Sequence, residues 1–451
     1  MGYNYRYLLS ISFATALGGL LFGFDISVIS GTIPFLQKYF ALTEGAKGWM
    51  VSSALLGCVV GATLSGRLGD RFGRRIILQI CAIFFAVSAV GSGFAESVTG
   101  FVLYRIMGGL AVGGASVLAP MYIAEISPAD IRGRMVSINQ LAIVFGISLA
   151  YYSNYFLLKL GDESWRWMLA SGAIPSVIFF ISVCFVPESP RWLVKRGHPE
   201  KAARILSKIG NEVYARKELA AIKGSLSEEV RRGTLKDLMK PEMRFVLLLG
   251  IFLAIFQQWC GINVIFFYAP DILAKSHIGL DSALFQTTLI GLTNFLFTIV
   301  AMWAIDKIGR KSLLIIGSVG MAVCYLIVGY LMKTGYNGWL IMVFILLTIA
   351  LYAISLGPVV WVIIAEIFPN RLRGTGMAVA TFFLWISCYT LTLTFPMIMC
   401  AIGGNGAFVI YAFLCVVGAV ITNYYLPETK GKTLENIEIE LVRAAVVTEE
   451  I

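Results

Sequence analysis

Polar positions are scarce along this chain, and they arrive in bursts. Between the bursts lie twelve apolar stretches, over residues 8–36, 48–66, 76–95, 98–122, 136–158, 166–186, 244–273, 282–304, 312–332, 339–365, 374–401 and 407–426. About 20 apolar residues in a helix, at 1.5 Å per residue, span the hydrocarbon of a bilayer. The first, fourth, seventh, tenth and eleventh stretches are long and interrupted by Gly or Pro, which predicts kinks or tilts. The pattern predicts an all-α integral membrane protein with twelve transmembrane helices.

Composition points the same way. Of 451 residues, 58% are hydrophobic and 14% charged, with a mean hydropathy of +0.81, whereas soluble domains sit near 25% charged. The net charge of +10 would suggest nucleic acid in a soluble protein. Its placement argues otherwise. Basic residues crowd alternate loops, at Arg67, Arg71, Arg74 and Arg75, at Arg132 and Arg134, at Lys307, Arg310 and Lys311, at Arg371 and Arg373, and at Lys430 and Lys432. The intervening loops carry only scattered Lys such as Lys47, Lys159 and Lys275. The positive-inside rule then places both termini and the long central loop in the cytoplasm, and no nucleic acid partner is expected. All eight cysteines fall within apolar stretches without metal spacing, so they read as small buried hydrophobes, with neither disulfide framework nor metal site. The first apolar run is too long for a cleavable signal peptide, and its Asp is wrong for one.

The chain repeats itself. "VPESPRWL" closes the sixth stretch and "LPETKGKTLE" the twelfth, with Glu188 and Glu428 separated by 240 positions. "AEISPADIRGR" and "AEIFPNRLRGTG" place Glu125 and Glu366, and likewise Arg132 and Arg373, 241 apart. "GRLGDRFGRR" and "WAIDKIGRK" place Asp70 and Asp306 236 apart. Three signals recurring in one order at nearly constant spacing mark a parallel internal repeat, as in transporters built from two pseudo-symmetric halves with a site at their interface. The expected organisation is a six-helix bundle over 1–186, a cytoplasmic linker over 187–243, a second six-helix bundle over 244–426, and a cytoplasmic tail over 427–451. The 57-residue linker carries 13 Lys/Arg and 8 Asp/Glu; "HPEKAARILSKIG" and "ARKELAAIKGSL" have the spacing of short amphipathic helices bracing the halves.

Two charges stand well inside apolar stretches. Asp25, in "GGLLFGFDISVISG", lies about 16 Å deep along the first helix, and Arg105, in "VLYRIMGG", about 10 Å deep along the fourth. Similar depth in one half suits a pair. An Asp beside Arg is held ionised, while desolvation favours its proton. Asp25 is thus either half of a permanent structural ion pair or a protonation switch. In the fourth stretch, Gly109 and Gly113 have the GxxxG spacing of close helix packing. The isolated "GSGFAES" lacks the strand–helix context of a nucleotide loop.

These motifs, together with "YRIMGGLAVGG", "NQLAIVFG", "FQQWCGINVIFFYAP" and "GPVVWVIIAEIFP", resemble the sugar porter family of the major facilitator superfamily, on the side of its bacterial proton-coupled monosaccharide symporters. The resemblance spans Gly18 to Glu435. It implies monosaccharide–proton symport by alternating access, with Asp25 and Arg105 in proton coupling, in the plasma (inner) membrane, as a monomer. No cofactor is expected beyond the proton as coupling ion. Sugar hydroxyls both donate and accept, which suits amides. The resemblance assigns Gln257, Gln258 and Asn263 on the seventh helix, Gln140, Asn294 and Trp361 to sugar contacts, and Trp385 and Phe22 to pocket walls. Gly261, between the amides, can loosen the helix so that they face one way. The alternative for each amide is a simple interhelical bond. Arg74, Glu125, Arg132, Glu366 and Arg373 are expected to form a cytoplasmic gate of interdomain ion pairs; alternatively they only set topology. Four positions depart from the family's xylose–proton carriers: Gly172 replaces a second acid, Leu384 a Gln, Cys388 an Asn, and Phe267 a frequent Tyr. Strict xylose preference is therefore in doubt.

A facilitative uniporter is the nearest alternative, and a sugar sensor a more distant one. An enzyme is not expected: the only histidines, His198 and His277, lie outside the apolar stretches, and no nucleophile–base pair or metal cluster stands out, so no catalytic residue is assigned.

Overall fold

The computed structural model describes residues 3–228, 234–274, 280–335, 339–369 and 371–430. The tail from 431 onward, residues 229–233 of the linker, and Lys275 and His277 lie outside the described residues. Helices account for nearly all of the rest. They are α1 (Tyr5–Tyr39), α2 (Glu44–Phe72), α3 (Arg74–Gly93), α4 (Val98–Ile126), α5 (Arg132–Leu157), α6 (Ser164–Ala170), α7 (Ala173–Phe185), α8 (Pro190–Lys195), α9 (Pro199–Ile209), α10 (Glu212–Glu228), α11 (Leu235–Leu238), α12 (Pro241–Trp259), α13 (Ile262–Ala274), α14 (Leu280–Ile308), α15 (Arg310–Lys333), α16 (Trp339–Ile354), α17 (Leu356–Ile367) and α18 (Arg373–Tyr425).

Three of the twelve stretches are split into two helices: the sixth into α6 and α7, the seventh into α12 and α13, and the tenth into α16 and α17. Conversely, α18 carries the eleventh and twelfth stretches, divided at Gly403, whose φ of 72° no helix contains. Among the described residues, eleven helical segments are long and apolar enough to cross a membrane, the 53-residue α18 counting as one of them. Breaks fall where Gly or Ser relaxes the backbone, and starts where Pro needs no N–H partner: Pro190, Pro199 and Pro241 each open a helix.

Packing divides the chain into two compact units, one of Met1–Val28, Ser53–Ser153 and Glu163–Arg232, the other of Ile29–Ser52, Asn154–Asp162 and Gly233–Ile451. In the first, α3 packs on α4 and α7. Glycine makes the closest approaches. A Cβ on Gly109 would sit 1.8 Å from the Ala54 carbonyl, and one on Gly113 2.3 Å from that of Cys58, so the GxxxG face of α4 lies against the backbone of α2. A Cβ on Gly23 would meet the Ile143 carbonyl at 1.9 Å, bringing α1 equally close to α5.

In the second unit, α18 packs on α12 and α15, and α16 on α14 and α15. Residues 29–52 group here rather than with the other N-terminal helices for a physical reason. A Cβ on Gly48 would lie 2.2 Å from the Leu393 carbonyl, and the buried Lys47 bonds Asp271 of α13 at 3.2 Å and Glu44 at 2.7 Å. The linker helices part company in the same way. The apolar faces of α9 and α10 (Ala202, Leu206, Ile209, Tyr214, Ala215, Ile222) join Leu8, Ile11, Tyr122 and Met135 in a core of the first unit, whereas α11 packs on α12 and α18. The linker is thus docked piecewise, where the sequence suggested helices bracing both halves.

Candidate functional site

Asp25 sits in the middle of α1, and Arg105 in the first half of α4. Arg105 is 2% exposed. Its Nη1 donates to Asp25 Oδ1 at 2.8 Å and its Nη2 to the Asp25 carbonyl at 3.3 Å. The two charges foreseen at similar depth therefore form one ion pair. Gly108 keeps the spot open: a Cβ there would lie 2.4 Å from Ser88 Oγ and 3.6 Å from Asp25 Oδ1. Asp25 Oδ2 and Arg105 Nε are buried without a hydrogen-bond partner. A carboxylate accepts through both oxygens, so Arg105 occupies one and the other is left buried and unbonded.

The amide cluster is built on the break between α12 and α13. Gly261 holds a φ of +86° there, and a Cβ on it would stand 2.6 Å from Tyr411 Cγ, so only glycine fits both the turn and the space. The turn brings together amides six positions apart. Gln257 Nε2 donates to the carbonyls of Leu356 and Gly357 at 2.9 Å each, at the break that opens α17. Gln258 Nε2 donates to Gln257 Oε1 at 3.3 Å, and Asn263 Nδ2 donates to Gln258 Oε1. Asn263 also reaches Cys388 Sγ at 3.5 Å, at one of the positions that depart from the family pattern. Leu384 and Trp385 are buried on the same helix as Cys388, and Phe267 is buried on α13.

The remaining sugar-site candidates fall in both units. Asn294 is buried on α14, Gln140 and Phe22 are half-buried on α5 and α1, and Trp361 on α17 is 37% exposed. Phe22 and Gln140 belong to the first unit, Asn294 and Trp361 to the second.

At the cytoplasmic motifs, Arg74 is buried and grips Glu125 in fork geometry, Nε to Oε2 at 3.0 Å and Nη2 to Oε1 at 2.9 Å. Ser189 Oγ donates to the same Oε2 at 2.5 Å. Both partners lie in the first unit. Glu366 pairs at 3.7 Å with Arg310 inside the second. Arg132 is exposed at the start of α5, and Arg373, half-buried at the start of α18, has its Nε and Nη2 buried without partners.

Several residues of these clusters carry no distinguishing sequence signal: Arg310 reads only as a loop charge and Lys47 as a scattered one, and Ser88 and Ser92 stand in no motif. The serines are isolated polar positions in an apolar helix, and nothing in their spacing sets them apart from packing residues.

Comparisons with known proteins agree with this geometry. Residues 11–441 match the family described as sugar (and other) transporter. The chain is 42% identical to the D-xylose-proton symporter of Escherichia coli (strain K12), over 97% of this chain and 96% of that one. It is 41% identical to the arabinose-proton symporter of Bacillus subtilis (96% and 94% covered), and 38% identical to the glucose transporter GlcP of Staphylococcus epidermidis (94% and 95%). The inward open structure of the xylose transporter XylE from E. coli superposes with a TM-score of 0.87 at 40% identity, covering 96% of this chain and all of that one. With a family match across nearly its full length, a repeated helical architecture and helices of membrane-spanning length, this chain belongs to the sugar (and other) transporter family, in the sugar porter branch of the major facilitator superfamily, and is a multi-pass membrane transporter.

Proposed function

We propose that the protein carries a monosaccharide, a pentose or hexose such as D-xylose or D-glucose, across the membrane together with a proton by alternating access. The observation that carries this reading is the buried Asp25–Arg105 pair, in which Arg105 holds one carboxylate oxygen and the other has no partner. A charge at membrane depth costs several kcal/mol to keep, and a group that trades protons between two compartments gives it a use. The relatives whose names specify xylose–proton and arabinose–proton symport support the same coupling.

In this reading Gln257, Gln258, Asn263, Asn294 and Gln140 bond sugar hydroxyls, while Trp361, Trp385 and Phe22 cover the apolar C–H faces. The Gln258–Asn263 bond is exchanged for sugar hydroxyls on binding. Arg74, Glu125, Arg132, Glu366 and Arg373 serve the cytoplasmic gate. The protein works as a monomer in the plasma (inner) membrane with both termini cytoplasmic, uses no cofactor other than the coupling proton, and catalyses no covalent chemistry. One observation favours a passive uniporter as the second reading: Gly172 offers no second carboxylate beside Asp25.

Proteoliposomes separate the two. Asp25→Asn is expected to abolish proton-driven sugar accumulation while sugar counterflow persists. Accumulation that survives the substitution overturns the coupling assignment.

A further inference from the structure

Arg105 and Asp25 open onto a small cavity within the first unit, whose wall also includes Ser88 and Ser92 of α3 and Gly172 and Ser176 at α7. Four buried polar atoms of these residues lack a hydrogen-bond partner: Asp25 Oδ2, Arg105 Nε, Ser88 Oγ and Ser92 Oγ. Such groups are costly to bury unsatisfied, and four around one cavity is a built site. Ser176 is not among them, because its hydroxyl donates to the Gly172 carbonyl at 2.7 Å. Gly172 contributes no side chain; a Cβ there would already touch Phe24 at 3.3 Å and Ala89 at 3.4 Å. The remaining space suits about one water molecule.

The atoms select the occupant. A metal cation would face the Arg105 guanidinium, and an anion would face the Asp25 carboxylate. Water matches the set: it accepts from Arg105 Nε–H and from one serine hydroxyl, and donates to Asp25 Oδ2 and the other serine oxygen. We propose that Ser88 and Ser92 hold a water molecule against Asp25 Oδ2 and that this water delivers the coupling proton to the carboxylate and takes it away. On delivery the water accepts a proton from the aqueous side and gives one of its own to Oδ2; one O–H bond forms as another breaks, and neutral water remains. Asp25 and Arg105 are the only charged groups among the residues lining the cavity, so the relay needs no second carboxylate at position 172. Ser88 and Ser92 are positioning residues. This inference rests on the reading of Asp25 as the coupling group.

The test uses the full-length protein and the Ser88→Ala/Ser92→Ala double variant. In proteoliposomes the rate of proton-driven accumulation is expected to fall about tenfold, with counterflow held within twofold, and Ser92→Thr, which keeps a hydroxyl, should retain the wild-type ratio. In difference infrared spectra of Asp25 protonation, an O–H stretching band of a bound water should appear, be identified by its shift in H2¹⁸O, and be lost in Asp25→Asn and in the double variant. An unchanged accumulation rate, or accumulation and counterflow falling together, overturns the relay. If wild-type accumulation is indifferent to a protonophore, the coupling reading fails, whereas an ¹⁸O-sensitive water band lost in the double variant still upholds the water site. Absence of that band in a protein whose accumulation the protonophore collapses sinks the water and spares the coupling.

Discussion

The joint between α2 and α3 and the joint between α14 and α15 are two printings of one motif, and their backbones agree closely. Gly73 has φ 100° and ψ 154°, Gly309 φ 103° and ψ 153°. In each, a glutamate from 115 or 119 positions later, Glu188 or Glu428, accepts from the first two backbone N–H groups of the following helix. A carboxylate belongs at that position, since those N–H groups have no helical partner and the helix dipole points its positive end there. The side chains then diverge. Arg74 forks onto Glu125 at 2.9 and 3.0 Å, and Ser189 closes the cluster by bonding Glu125. Arg310 stands 3.7 Å from Glu366, whose Oε2 is buried without a partner, and Thr429, at the place of Ser189, has a buried Oγ1 with none. The duplicated motif thus keeps the helix joint, while the charged cluster is closed by a fork and a serine in the first copy and has a longer Arg310–Glu366 contact of 3.7 Å in the second.

The sharpest way to break this contrast is to remove the acid from each copy. Glu125→Ala removes the fork and leaves buried Arg74 only the more exposed Asp70 carboxylate, at 2.8 Å, so the cost should fall at the lower end of the about 3–5 kcal/mol for stripping one partner from a buried pair. Glu366→Ala removes a longer, more exposed contact and is expected to cost no more than about 1 kcal/mol. Thermal unfolding in detergent micelles reads the difference. Equal losses would mean that the two clusters are energetically the same despite their geometry.

The hydroxyls at the matched positions give a smaller effect of opposite signs. Ser189 donates to a buried carboxylate and also caps α8 by accepting from Trp192 N–H at 3.3 Å. Ser189→Ala should lose about 1.5–3 kcal/mol, the range for a hydrogen bond to a charged group. Thr429→Val replaces a buried, unbonded hydroxyl by a methyl group and should be neutral or slightly stabilising. A destabilised Thr429→Val would show that the second cluster is closed after all.

Much of this could be read from the chain because the informative features are local. Gly-Arg-Arg and Gly-Arg-Lys after an acid, and Pro-Glu at a helix end, carry the joint within a few residues, so the duplication, the twelve spans and the break at Gly261 follow from short stretches. The Asp25–Arg105 pair was legible for another reason: two charges at comparable depth in an apolar half have few other partners. What stayed hidden depends on tertiary contact alone. Arg74 and Glu125 are expected at a cytoplasmic gate; inside the first unit Arg74 lies between Asp70 at 2.8 Å and Glu125 at 2.9 Å, a grouping that no single motif displays. The bond between Lys47 and Asp271 joins positions 224 apart that no motif connects. Ser88 and Ser92 acquire meaning only from the cavity they share with Asp25.

The finest distinction between the two joints is in how they titrate. Both glutamates start from an ordinary value of 4.5 and lie beyond the membrane-spanning helices. Burial is the largest influence on each. At Glu188 it prevails over the Ser189, Arg75 and Arg74 N–H groups and raises the pKa. At Glu428 it is outweighed by the N–H groups of Lys430, Arg310, Ser312 and Lys311, and the pKa falls. The signs follow from linkage. A raised acid binds its proton more tightly in the folded state, so Glu188 subtracts stability as pH rises from 4.5 through its folded value. A depressed acid adds stability above 4.5 that is lost as pH falls through its lower folded value. Melting curves of Glu188→Gln and Glu428→Gln between pH 3 and 8 should therefore diverge. Relative to wild type, Glu188→Gln gains as the pH climbs from 4.5 through the raised folded value, whereas Glu428→Gln loses as the pH climbs from the lowered folded value up to about 4.5 and is level above it. The carboxamides also change hydrogen bonding at every pH, which displaces each curve by a constant, so the slope with pH carries the test. Parallel slopes would mean that the two glutamates share one environment and that the asymmetry is confined to the arginine clusters.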